Sequence, residues 1–481
     1  MRHFFCKWSM ALCLPALSMS LHSEETITLE QLLGVGLPVV SVETVDNEEP
    51  TCEESEAPEG CWGSSIRNAT KVPGRVVVYD TLGVVFDSGP YVAKTSGMTI
   101  KVRGNGSARE PKKPFKIKLQ KKGDMMGNDS QMADKDWLLL AVSRWTPMNQ
   151  VVGMKVNSLC GLQWTPRQRY VNLLFNGDYR GLYLLSESVG RNEECRLDVT
   201  KTGFIAELDA YWWNEDFYIP SSFPEPMNYT LKYPDTDDMT PEQQTYIEHT
   251  LGRMEQMLDS ADYSRYIDVE SFARWMLAHD ILANIDGGGS NIFLTKRDST
   301  DATRVMMGCL WDFDAIMLDP DTWDAAHNAY YFKHLWANPN TEFAYRYAQL
   351  WEELKDDVFQ GMDAFTAGFL SSPECWAVDS SVLLDRERWG TDMPLVPLVS
   401  DYCNSVVIPF FEQRRLWLDD AITDPMTVRL STLEGERHST VTHIFDVCGR
   451  LLRKLPATTD MKNPSRPGLY IQNGRKRVVS R

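Results

Sequence analysis

Lys112-Lys113-Pro114-Phe115-Lys116-Ile117-Lys118-Leu119 decides how the first part of this sequence is read. Phe115, Ile117 and Leu119 alternate with Lys116 and Lys118, the two-residue period of a half-buried strand with one basic face. Upstream, Thr99 to Val102 and the β-branched runs Val39 to Val45 and Arg75 to Tyr79 predict further strands. Downstream, Trp137 to Val142, Arg169 to Phe175 and Tyr183 to Ser186 do the same, the last two joined by the turn residues Asn176 and Gly177. Thr146 and Pro147 supply an N-cap and first-turn signal for one interposed helix ending near Leu159.

The texture then changes. Thr240, Pro241, Glu242 and Gln243 form a capping-box signature opening a helix to about Leu258. Further helical patterns cover Asp268 to Asn284, Glu342 to Val358 and Val406 to Leu418. From Met426 short strands return at Thr427 to Leu430, His443 to Val447 and Leu469 to Ile471, a small β module. The fold class is α+β, with a β-rich part over residues 21–190, a mainly helical part over 191–425 and the module over 426–481.

The chain has 481 residues and is 43% hydrophobic, enough for a large core, and its formal net charge is −18. Nucleic acid is excluded as a partner class, because binding its backbone needs a net basic face. Arg2, His3 and Lys7 precede the apolar run Trp8 to Leu17 and the small residues Ser18 and Ser20, the order of a secretory signal peptide over residues 1–20. That run is too short to span a bilayer, so the expectation is an exported protein with no integral membrane segment, in the periplasm, at the cell surface or outside the cell. Of ten cysteines, Cys52 and Cys61 are the one close pair, and export permits but does not require a bridge between them.

Against this acidic background, residues 101–122 hold nine basic residues and one acid, Glu110. Within them, Arg103-Gly104-Asn105-Gly106-Ser107 has two glycines that let backbone N–H groups approach a phosphate, although a solvated basic strand would look similar. Asp286-Gly287-Gly288-Gly289-Ser290-Asn291 spaces an Asp and an Asn five apart after a helix. Protein kinases use that separation for the aspartate that orients the attacking hydroxyl and the asparagine that holds Mg²⁺. Leu310-Trp311-Asp312-Phe313-Asp314 reads as an apolar strand delivering carboxylates at its end. A bare loop and a bare strand end remain the bland readings of these two stretches.

The order of motifs resembles the CotH kinase family, the spore-coat protein H-like atypical kinases, from about Leu37 to Asp419. The resemblance rests on Arg103-Gly104-Asn105, the 112–119 strand, Asp136-Trp137-Leu138-Leu139-Leu140, residues 176–183, Leu231-Lys232-Tyr233-Pro234 and the two acidic segments. It implies an atypical kinase-like fold and ATP-dependent phosphorylation of Ser or Thr in secreted or surface proteins, with Mg²⁺ or Mn²⁺. By position, it makes Asp286 the catalytic aspartate and Asn291 and Asp312 the metal ligands, with Asp314 a further candidate. Lys118 is the first choice for the phosphate-contacting lysine, with Lys116 on the same strand face as the alternative and Arg103 a second contact. Glu187 either lines the nucleotide pocket or serves as a salt-bridge partner. The helix after Thr146 holds no acid, so the Lys–Glu pair of ordinary kinases needs a glutamate from elsewhere, Glu187 or Glu207, and Met148 stands where many relatives carry Arg. Residues 468–476 look like the terminal sorting module of secreted Bacteroidetes proteins, or a plain accessory β domain. A non-catalytic surface adhesion protein and a nucleotidyl transferase are the rival functions on the same fold.

Overall fold

Ten strands occupy the first part of the computed structural model, which describes residues 27–422 except 62, 143–147 and 224–226, plus the backbone of four strands between 441 and 479. They are β1 (Val39–Thr44), β2 (Glu53–Glu56), β3 (Ser64–Arg67), β4 (Val72–Asp80), β5 (Gly83–Asp87), β6 (Met98–Val102), β7 (Phe115–Gly123), β8 (Asp134–Ala141), β9 (Gln168–Phe175) and β10 (Asp178–Glu187). Helix α1 (Leu29–Gly34) precedes them and α2 (Met148–Leu159) falls between β8 and β9. The sheet order is β1-β9-β10-β8-β7-β6-β4, and β4 returns to pair with β1 from Val39↔Tyr79 to Thr44↔Gly74, closing a seven-stranded barrel with β5 outside it.

The alternation read from β7 decides what lies inside. Phe115, Ile117 and Leu119 are buried with Val42, Val76, Ile100, Trp137 and Leu173 in the barrel interior, while Lys118 is exposed. Outward-facing Leu138, Tyr170, Leu182 and Leu184 are buried too, but in the core shared with the helices. Strands β8, β9 and β10 are therefore apolar on both faces and read as continuous hydrophobic runs.

The second part carries a sheet the sequence patterns did not disclose. It runs β12-β13-β11-β14-β15, from β11 (Phe204–Asp209), β12 (Ile219–Pro220), β13 (Asn228–Tyr233), β14 (Ile292–Lys296) and β15 (Met306–Met307). Around it lie α3 (Pro241–Met257), α4 (Val269–Leu282), α5 (Tyr330–Ala337), α6 (Glu342–Leu370), α7 (Pro373–Trp389), α8 (Val399–Tyr402) and α9 (Ile408–Ala421). Helix α3 has the expected capping box of Thr240 and Gln243, and α4 is capped by Asp268. Helix α4 is buried on nearly every side, as a helix apolar all round must be.

Helix α7 ties this part to the barrel. Its Asp385 accepts from Lys112 Nζ at 2.5 Å and from the Leu182 N–H at 2.8 Å. Gly181 makes the approach possible, since a Cβ there would stand 2.0 Å from Asp385 Oδ1. Cys52 and Cys61 are free thiols at opposite ends of the β2–β3 ladder, one before Glu53↔Arg67 and the other beyond Glu56↔Ser64, so no bridge joins them.

The C-terminal strands β16 (Val441–Phe445), β17 (Leu451–Pro456), β18 (Gly468–Gln472) and β19 (Arg475–Val479) form an antiparallel sheet ordered β17-β16-β18-β19. The expected signal peptide, the Thr146–Pro147 cap and the strand at 427–430 lie outside the described residues. Among the described residues no helix is long and apolar enough to cross a membrane.

Candidate functional site

Helix α4 ends at Ala283 in the left-handed region (φ 47°), and Asn284 then holds the two acidic segments together. Its side chain accepts from the Asp286 N–H at 3.2 Å and donates to the Asp312 carbonyl at 3.0 Å. Packing requires the first of the glycines that follow. A Cβ on Gly287 would lie 2.6 Å from the buried carboxylate of Asp324, and the Gly288 carbonyl accepts from Tyr330 Oη at 2.7 Å. Asn291 closes the loop with φ 63° and donates Nδ2 to Asp312 Oδ2 at 3.2 Å. Asp312 itself has φ 64°. Two non-glycine residues held left-handed cost about 1–3 kcal/mol each, and such strain persists only where the surroundings fix it.

Residues 310–314 are not the strand the sequence suggested. The ladder stops at Leu294↔Met307, and beyond it the chain is gripped by α2 instead. Asn157 Oδ1 accepts from the Leu310 N–H at 2.9 Å, and Asn149 Nδ2 donates to the Phe313 carbonyl at 3.1 Å. Between them Phe313 lies against Gly153, where a Cβ would fall 2.2 Å from the ring. Asn149, Gly153 and Asn157 stand four apart, so one helix face meets the whole acidic segment. The acid-free helix acts through amides and a missing side chain.

Asp286, Ser290, Asn291, Asp312 and Asp314 line a cavity of about 290 Å³ whose other walls are Arg103, Gly104 to Ser107, Leu140, Leu184, Gln150 and Tyr211. Burial pushes the Arg103 guanidinium below its ordinary value, and Asp312, Glu207 and Asp314 oppose that shift. Arg103 is the one member of the basic run in this lining. Lys112 is fully buried against Asp385, Lys113 Nζ donates to the Ala108 carbonyl at 2.9 Å, and Lys116 pairs with Asp136 at 3.0 Å. Lys116 lines a neighbouring cleft of about 420 Å³ with Asp136, Ser188, Gly190 and Lys232, whereas Lys118 is exposed and lines neither. Glu187 is buried in the barrel wall, where Arg167 donates to it from Nη2 at 2.9 Å and from its backbone N–H at 2.8 Å, so it lines neither cavity.

Glu207 stands between the two clefts. Its Oε1 accepts from the Asn291 N–H at 3.0 Å and its Oε2 meets Lys232 Nζ at 2.6 Å. Burial pulls the Lys232 ammonium down, but Glu207 and Asp209 more than offset it and hold the group above its ordinary range. Ser290 Oγ donates to Asp209 Oδ1 at 2.7 Å, so the loop is moored to β11 at two successive residues. The sequence offers Glu207 only as an alternative to Glu187 for the partner of the phosphate-contacting lysine, whose first choice is Lys118. Lys232 lay in a quoted motif without a role.

Among the described residues no group of three or more His, Cys, Asp or Glu side chains is placed to hold a metal by itself. The Asn291–Asp312 pair nevertheless fits a hard cation: a half-turn of the amide about χ2 would present Oδ1 beside the carboxylate. Mg²⁺ characteristically takes one or two protein oxygens and completes its octahedron with phosphate and water.

Residues 100–364, more than half of the 481, match the family model described as CotH kinase protein. The chain belongs to the CotH kinase family. The match spans the Arg103 loop, α2, the Leu231–Pro234 motif and both acidic segments, so every wall of the cavity contains family sequence. No curated protein sequence matches the chain. The HipA–HipB toxin–antitoxin complex of Shewanella oneidensis MR-1 with its operator DNA aligns at 10% identity over 78% of this chain and 70% of that one, with a TM-score of 0.22. A score that low bears on neither fold nor function.

Proposed function

We propose that this CotH family member is an exported protein kinase of two-lobed, kinase-like architecture that transfers the γ-phosphoryl group of ATP to a Ser or Thr hydroxyl of a secreted or surface protein. The observation that carries the reading is one cavity lined by Asp286, Asn291, Asp312 and Arg103, with Asn291 and Asp312 in contact at 3.2 Å. Asp286 accepts the proton of the acceptor hydroxyl as its oxygen bonds to the γ-phosphorus and the bond to the β-phosphate oxygen breaks, releasing ADP. Asn291 and Asp312 would hold Mg²⁺ or Mn²⁺, with Asp314 a further candidate ligand in the same cavity. The bound metal supplies neutralisation of charge on the phosphate oxygens. Arg103 and the backbone N–H groups of the glycine-containing loop face the same charge from the barrel side. Lys116 and Lys118 do not share that cavity, and Arg103 takes the phosphate-contacting role on the barrel side.

Export is supported by the signal-peptide pattern of residues 1–20, and the C-terminal β module suits surface sorting of the Bacteroidetes type. The test is transfer of label from γ-labelled ATP to a Ser/Thr-rich acceptor protein with Mg²⁺ or Mn²⁺, wild type beside Asp286→Ala and Asp312→Ala. Transfer by the wild type alone is expected, with all three unfolding at similar temperatures. Full transfer by either variant refutes the assignment. Nucleotide binding without transfer by the wild type points instead to a non-catalytic binding protein.

A further inference from the structure

A two-stranded ribbon, β2 paired with β3 from Glu53↔Arg67 to Glu56↔Ser64, stands apart from the barrel sheet and outside residues 100–364, the stretch shared with the CotH family. Its second strand has two unlike faces, because successive side chains of a strand point opposite ways. Ile66 is buried in the barrel core, while Ser65 before it is fully buried against the glycine-containing loop. Ser65 Oγ donates to Asn105 Oδ1 at 2.6 Å and accepts from Asn214 Nδ2 at 3.0 Å. Asn214 Nδ2 also donates to the Ile66 carbonyl at 2.8 Å. Gly63, two residues before Ser65, has φ 92° and lies against the ring of Tyr211, where a Cβ would stand 2.7 Å from Cε1.

These contacts reach two elements that line the cavity with Asp286. Asn105 belongs to the glycine-containing loop after β6, and Tyr211 to the connection between β11 and β12. Asn105 sits between Gly104 and Gly106, the positions of the loop with the most backbone freedom, so a bond to its side chain restrains the N–H groups on either side. A hydroxyl has a single proton, and that of Ser65 goes to Asn105, while its oxygen takes Asn214 from the β11–β12 connection. The ribbon thereby ties the loop to the second sheet through one buried atom.

We propose that Ser65 is a positioning residue for the nucleotide phosphates: it holds Asn105 so that the backbone N–H groups of the glycine-containing loop stay aimed into the cavity, and Asn214 holds Ser65 in turn. The inference rests on the kinase reading above, which places the phosphates beside that loop. Ser65→Ala removes the hydroxyl, leaves the ribbon ladder and Ile66 in place, and weakens nucleotide binding about three- to tenfold, the effect of losing one hydrogen bond. Asn105→Ala weakens binding by at least as much. The double variant binds no more weakly than Asn105→Ala alone, because residues that act through one shared bond are not additive. Arg67→Ala, which breaks the exposed pair with Glu53 on the same ribbon, leaves affinity within about twofold.

The experiment uses the full-length protein. It measures equilibrium binding of a fluorescent ATP analogue with Mn²⁺, steady-state transfer at varied ATP, and thermal unfolding of each variant. The expected result is a raised nucleotide Kd and KM in Ser65→Ala, with unfolding close to that of the wild type. Unchanged Kd and KM in Ser65→Ala overturn the proposal. So do additive losses in the double variant, or a loss in Arg67→Ala equal to that in Ser65→Ala. Should Ser65→Ala fail to fold, Asn214→Ala, which removes the donor to Ser65, completes the same cycle with Asn105→Ala. A wild type that binds the analogue without transferring phosphate refutes the kinase reading while the binding cycle still judges Ser65. A wild type that binds no nucleotide refutes both.

Discussion

Two helical glycines with the same local chemistry are expected to respond oppositely to alanine, and the difference exposes how α2 holds the acidic segment. Gly153 in α2 faces Phe313, and a Cβ would sit 2.2–2.4 Å from three ring atoms. Gly252 in α3 has nothing within 4 Å of that position. In either helix interior, Gly→Ala contributes about 0.5–1 kcal/mol of stability by reducing the freedom of the unfolded chain and improving helix propensity. At Gly252 nothing opposes this, so Gly252→Ala stabilises by about that amount. At Gly153 the ring is fully buried and cannot swing away, and overpacking of that kind costs about 1–3 kcal/mol. The net effect of Gly153→Ala is then between neutral and about 2 kcal/mol destabilising, the difference of those two terms. For a chain of this size, about 1–2 °C of Tm accompanies each kcal/mol, so the two variants separate by a few degrees in calorimetry. Activity separates them further. Phe313 follows Asp312 directly, so on the proposed role of Asp312 as a metal ligand, displacement of the ring shifts its carboxylate and costs about 100-fold in kcat. Gly153→Ala with wild-type stability and wild-type transfer would refute the account of α2 as the clamp on residues 310–313.

Lys112→Met leaves Asp385 buried without its cation and is expected to cost about 3–5 kcal/mol, measured by urea unfolding; adding Asp385→Asn, which removes the charge and keeps an acceptor for the Leu182 N–H, recovers most of it. Arg103→Ala raises nucleotide KM about tenfold, whereas Lys118→Ala, exposed on the barrel, leaves it within about twofold in the same assay. Glu270 is held below the usual glutamate range, first by the hydrogen bond from Arg346 and next by Arg274. A depressed acid stabilises the fold above its unfolded pKa and loses that contribution as pH falls through the folded value, so the loss falls on the acid side of the ordinary glutamate range. Arg346→Met flattens that acid limb in unfolding curves taken from pH 6 downward.

Most strands of the barrel were legible because they alternate or run apolar, though not their closure by β1 against β4, and the side of β7 that faces inward follows from Phe115, Ile117 and Leu119 alone. What the basic face of that strand touches was not legible. Whether Lys116 meets Asp136 and whether Lys118 meets only solvent depend on the neighbour that β7 acquires in the barrel. Strands β11 and β14 escaped notice because burial on both sides in a second sheet erases the alternation. Helix α7 escaped because the face packed on the barrel includes buried Ser381 and Asp385 and so breaks the apolar period. Both acidic segments were found by spacing. Their supports were not, since Glu207 lies 84 residues from Asn291 and Asn149 lies 164 from Phe313. No local pattern encodes contacts at that range.

In the proposed kinase, Asp286 drives phosphoryl transfer from the cavity it shares with Asn291, Asp312 and Arg103. The most direct measurement incubates wild type and Asp286→Ala with ATP carrying distinguishable α and γ labels, Mn²⁺ and an acceptor protein. The account predicts that only the γ label reaches Ser or Thr of the acceptor, and only with the wild type. Appearance of the α label, or transfer of the γ label undiminished by Asp286→Ala, would contradict it.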